Sequence, residues 1–92
     1  MIVLPADPRI WKFPLPLEDL VEVSMPKDSR ILSLACQDGQ ICMWAKCDPD
    51  APKVTRKFVI AGTGHPLPFG LGEFIGTVLM GPLVWHVFEF NQ

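Results

Sequence analysis

The chain has no stretch of 18 apolar residues, so it offers no membrane-spanning helix, and a membrane is not an expected partner. Its opening residues, Met1 to Asp7, have no basic segment ahead of a long apolar one, so a secretory signal is not expected and a cytoplasm is the expected compartment. No run of Lys or Arg interleaves with aromatics, and 8 basic residues stand against 10 acidic ones, a formal charge of −2. A phosphate backbone needs a clustered basic face. The linear order shows none, so nucleic acid is not an expected partner.

The three cysteines, Cys36, Cys42 and Cys47, are an odd count with no C-x-x-C spacing, and no H-x-x-x-H accompanies them. A disulfide framework and a zinc site are therefore not expected. Reduced core thiols are the expected state in a cytoplasm. No Cys or His carries a local signature of a neighbouring base or oxyanion hole, and the carboxylates are scattered. Neither a catalytic residue nor a cofactor is expected, and the chain does not read as an enzyme. Asp48 and Asp50 lack the glycine and distal glutamate of a calcium loop and read as solvated turn residues.

What is present is a chain of 92 residues, 49% of them hydrophobic, of a length that makes one domain over residues 1–92, with 1–8 as an extended N-terminal arm. A body this small has a limited interior, so part of that apolar content must lie near the surface. A self-associating face and a homo-oligomer are expected.

Ten prolines and seven glycines cut the chain into short pieces, and no uninterrupted 12-residue window has helical spacing. Runs rich in β-branched and aromatic residues lie between turn signals, which predicts an all-β fold. Strands are expected over residues 9–13, 19–25, 31–37, 40–47, 54–61, 73–79 and 83–90. Pro14 makes the first an edge strand or ends it. Asp38-Gly39 between apolar runs predicts a type I′ hairpin. That register sets Gln37 opposite Gln40, Leu34 opposite Met43 and Leu32 opposite Ala45, with one face all apolar and Trp44 on the other. Gly76 inside a strand predicts a bulge or a close backbone approach. Residues 83–90 are apolar on both faces, as for a central strand or an interface. The sum is a small antiparallel sandwich or barrel of about six to seven short strands.

The segment Gly62-Thr63-Gly64-His65-Pro66 is the one candidate ligand site. Two glycines can expose successive N–H groups as an anion-holding nest, and the proline holds His65 extended. Arg56 enters on the strand before, and Trp44 and Trp85 offer flat rings. Together Arg56, Gly62, Thr63, Gly64, His65 and Trp44 could hold a small nucleotide-like ligand. The competing and favoured reading is a strand crossing that simply needs glycine. Likewise Trp11, Trp44 and Trp85 read first as core or interface anchors, and His86 as a core histidine with one satisfied nitrogen.

Ile10-Trp11-Lys12-Phe13-Pro14-Leu15, the GTGHPLP stretch from Gly62 to Pro68, and Trp85-His86-Val87-Phe88-Glu89 resemble a widespread group of small uncharacterised bacteriophage proteins. The resemblance covers nearly the whole chain and implies a viral origin and the host cytoplasm, without a chemistry. On it rests the functional expectation: a small non-catalytic phage accessory protein that binds a host component and inhibits host antiviral defence. Two alternatives stand beside it, an oligomeric sponge that sequesters a nucleotide-derived signal at the GTGHP loop, and a minor virion structural protein.

Overall fold

Asp38 and Gly39 turn the chain with φ of 53° and 76°, the two left-handed residues that a type I′ hairpin requires. The computed structural model describes residues 7–91; an arm over residues 1–8 falls outside them except for its last two positions. Around this turn the strands run in order as β1 (Arg9–Leu15), β2 (Leu20–Pro26), β3 (Arg30–Gln37), β4 (Gln40–Cys47), β5 (Lys53–Gly62), β6 (Leu71–Met80) and β7 (Leu83–Phe90). No helix occurs among the described residues, so none there is long and apolar enough to cross a membrane.

The strands form two antiparallel sheets, β1-β4-β3 and β2-β5-β7-β6. The fold is all-β and sandwich-like. β1 is an edge strand, which is why it continues through Pro14, paired with Cys42, to the buried Leu15. The period of two then sorts side chains onto faces. The inner faces bring Leu15, Ile41, Met43, Ala45 and Cys47 of one sheet against Val21, Met25, Phe58, Ile60, Val78 and Val87 of the other. Trp11 and Trp85 pack partly buried against this cluster, so two of the three tryptophans are core anchors. Trp44 lies on the outer face of the three-stranded sheet, half-buried between Lys12 and Ser33.

The β3–β4 register holds from Gln37↔Gln40 to Ser33↔Trp44 and then slips, so Ile31 rather than Leu32 lies opposite Ala45. The extra residue is Leu32, 47% exposed. The all-apolar inner face is thus completed by Ile31, and the expected Leu32–Ala45 pair does not form. Pattern alone could not reveal this, because Ile31 and Leu32 are both apolar. Gly76 sits at an irregularity in the β6–β7 register, and a Cβ there would lie 3.3 Å from Leu34 Cδ2. Of the two features foreseen for it the bulge is present; the close neighbour is the Leu34 side chain rather than another backbone, and it marks where β6 packs beside β3.

β7 lies between β5 and β6, so its two apolar faces have an internal cause: one meets the core and the other forms the outer surface of the four-stranded sheet. That outer surface holds Leu20, Val59, Ala61, Val84, Phe88, Phe90, Phe74 and Leu79. Phe74 and Phe88 meet edge to face with ring centroids 5.3 Å apart.

Candidate groove and the paired arginine

The glycine-rich segment after β5 makes a tight turn and folds back as a strap. The His65 N–H donates to the Gly62 carbonyl oxygen at 3.0 Å, with Gly64 at φ 87°. A single left-handed residue at the third position is the type II pattern. The Thr63 N–H donates to the Val84 carbonyl oxygen at 3.4 Å. Two of the N–H groups that an anion nest would use are therefore bonded within the protein. A Cβ on Gly62 would meet the His65 ring at 2.9 Å and Trp85 Cζ3 at 3.2 Å, so that glycine lets the imidazole settle against the strand end.

Gly64 provides a direct check on the turn. Nothing lies within 4 Å of a Cβ built there, so Gly64→Ala carries only the left-handed backbone penalty, about 1–2 kcal/mol. Its melting temperature is expected to fall by several degrees, with tryptophan emission unchanged. No fall by differential scanning calorimetry would mean that the turn has another geometry.

Beyond the turn, His65, Pro66, Leu67 and Pro68 form one wall of a groove of about 570 Å³, with Asp19, Leu20, Val59, Ile60, Ala61 and Phe90 as the other walls. Val59 and Ala61 are buried although they point away from the core, because the strap lies beside them. Leu20 and Leu67 stay half exposed, and Phe69 is wholly exposed at 100%. Sequence reasoning named His65 but missed Leu20, Val59, Ala61 and Phe90. The available signal was the unbroken run Phe58-Val59-Ile60-Ala61, which reads as a strand covered on both faces.

His86 stands on the same outer face. Its Nε2 lies 2.8 Å from Thr63 Oγ1 and its Nδ1 3.0 Å from Thr77 Oγ1. Both ring nitrogens are thus satisfied, and hydroxyls can donate or accept to suit the tautomer. The ring ties the strap's first turn to β6.

The structure does not bring Arg56 or Trp44 to the strap. Arg56 is six residues from Gly62 along β5, about 20 Å, and it points to the inner face. There Nε and Nη2 donate to the two Glu89 carboxylate oxygens at 2.8 and 2.7 Å, and Nη1 donates to the Ser29 carbonyl oxygen at 2.6 Å. The Glu89 hydrogen bonds, opposed in part by burial, hold the guanidinium pKa above its ordinary value. The Ser29 hydroxyl donates to the Pro26 carbonyl oxygen at 2.6 Å and lies 3.2 Å from Cys47 Sγ. This cluster closes one end of the sandwich and borders a more polar cleft of about 480 Å³ lined by Arg30, Glu73 and Phe74 among others. Among the described residues, no group of three or more His, Cys, Asp or Glu side chains converges as a metal site would.

Fold and groove together define a small antiparallel sandwich domain with an apolar recess beneath a glycine-rich strap. The chain belongs to the family described as a domain of unknown function, DUF7352, whose model matches residues 7–92. No curated protein and no solved structure matches it.

Proposed function

We propose that the chain is a non-catalytic binding domain that engages a host-cell protein through the groove beneath the strap. The observation that carries this reading is a largely apolar recess of about 570 Å³ whose lining includes half-exposed Leu20 and Leu67, with wholly exposed Phe69 one residue past the end of its wall at Pro68. An exposed apolar area of that kind on a small domain is the pattern of a surface with a partner. The occupant is an apolar side chain of the partner flanked by a basic residue, because Asp19 lines the groove and Glu18 is exposed beside it. The resemblance to small phage proteins supports a host component as that partner and inhibition of antiviral defence as the outcome. Nucleotide sequestration has less support, since Arg56 is committed to Glu89 and lies far from His65.

The test is reconstitution from two purified components, this chain and the host protein that co-purifies with it, by isothermal titration calorimetry. Leu67→Glu and Leu20→Glu are expected to weaken binding at least about tenfold, with the fold intact, since each introduces an unpaired charge into a desolvated contact. Unchanged affinity in both variants overturns the reading. So does a chain that forms a dimer on its own and falls to monomer in both variants, which would make the groove a self-association face.

A further inference from the structure

The three-stranded sheet carries charge of one sign. Its strands contain Arg9, Lys12, Arg30 and Lys46 and no Asp or Glu, in a chain whose formal charge is −2. Arg9 is ion-paired with Asp7 at 2.6 Å. Lys12, Arg30 and Lys46 make no ion pair among the described residues. Register collects these three: Lys12 lies directly opposite Trp44, Arg30 lies directly opposite Lys46, and Lys46 is two residues along β4 from Trp44. All four therefore share the outer face. With strands about 4.8 Å apart and alternate residues about 6.8 Å apart, they span a patch of roughly 10–15 Å. Lys12 Nζ donates to Gln37 Oε1 at 3.0 Å, reaching across β4 because β4 lies between β1 and β3.

Two like charges directly opposite each other destabilise a strand pair, yet Arg30 lies opposite Lys46; the carboxylates near Arg30, Glu73 and Glu89, belong to the other sheet and line the polar cleft at the sandwich edge. The other sheet behaves differently: Lys57 lies opposite Glu22, and Arg56 is bonded to Glu89. Lys12 and Lys46 flank the one tryptophan that is outside the core, and Arg30 lies beside Lys46.

We propose that this outer face binds single-stranded nucleic acid, with phosphates on Lys12, Arg30 and Lys46 and a base stacked on Trp44. Cations that track a backbone beside an aromatic platform form the general solution for binding single strands without sequence preference. A duplex keeps its bases stacked inside and has no use for an indole on a sheet face. An acidic peptide would satisfy the cations but not the ring. The face lies on the opposite side of the sandwich from the groove, so this inference does not rest on the protein-binding reading.

The experiment is fluorescence anisotropy of the full chain with labelled oligo-dT and oligo-U of about 15 nucleotides, a length that covers one such site. Saturable binding is expected, weakening roughly 20-fold between about 50 and 200 mM salt for three phosphate contacts. Trp44→Ala is expected to reduce affinity about tenfold. The surface double variant Lys12→Gln/Lys46→Gln, which leaves the core untouched, is expected to flatten the salt slope by about 1.4. Leu67→Glu should bind as the parent does. Absence of saturable binding at low salt overturns the proposal, as does affinity that both the Trp44 and the lysine variants leave unchanged. Equal or tighter binding of a polyglutamate peptide overturns it in favour of an acidic protein partner.

Discussion

Phe58→Ala is expected to remove about 3–5 kcal/mol of folding stability. Phe58 is wholly buried, at the centre of the cluster that joins the two sheets. It lies opposite Val21 on one side and Glu89 on the other. Deleting its ring removes contacts with both sheets at once, and the two sheets cannot close over the gap without disturbing the Arg56 cluster, whose guanidinium carbon lies 5.9 Å from the ring centroid. A chain of this length has about 5–14 kcal/mol of stability in total, so the variant should unfold roughly 20 °C lower. Urea unfolding followed by tryptophan emission provides the measurement. A loss below about 1 kcal/mol would mean that Phe58 is not the shared core residue.

Arg56→Met is expected to cost about 2–3 kcal/mol, because the side chains of Arg56 and Glu89 are only 21% and 18% exposed. Removing the guanidinium therefore strands a mostly buried carboxylate and leaves the Ser29 carbonyl without its donor. Breaking a fully buried pair costs about 3–5 kcal/mol, and the residual solvent contact discounts that figure. Arg56→Met/Glu89→Leu should be more stable than Arg56→Met alone, because the orphaned charge is gone; a double-mutant cycle measures the difference. A double variant no better than the single would show that the packing of the Arg56 stem, rather than the ion pair, matters. The guanidinium pKa is raised in the fold, chiefly by the Glu89 hydrogen bonds. A raised folded value means that the stabilisation is complete below the unfolded arginine value and is lost only as pH climbs through the folded one. Arg56 itself therefore contributes no pH dependence between about pH 5 and 9.

Much of the fold is legible in the order of the residues. Asp38-Gly39 set both the turn and the first five pairs of the hairpin, because only a left-handed pair matches strand twist there. The alternation of Val21, Val23 and Met25 gave β2 its inner face, and the double-sided apolarity of residues 83–90 left a central strand or an interface open, of which the sheet order shows the first. Even the bulge at Gly76 had its sign. The slip at Leu32 had none, since two adjacent aliphatic residues satisfy either register. The site was less legible. His65 and its glycines were visible as a special segment, but what the strap lies against was not.

The sequence by itself determined the local terms: where strands begin and turn, and which side chains share a face. These follow from φ preferences and from a period of two, both of which act within a few residues. Only the tertiary structure decided how the strands divide into sheets, and every relation that follows from that division. Glu89 reaches Arg56 across 33 positions, and strand pairing sets Lys12 opposite Trp44 and Arg30 opposite Lys46. Leu20 and Phe90 wall one groove from near the two ends of the chain. Such juxtapositions come from the strand order, which long-range pairing and the burial of a shared core select together, and no local stretch of residues encodes them.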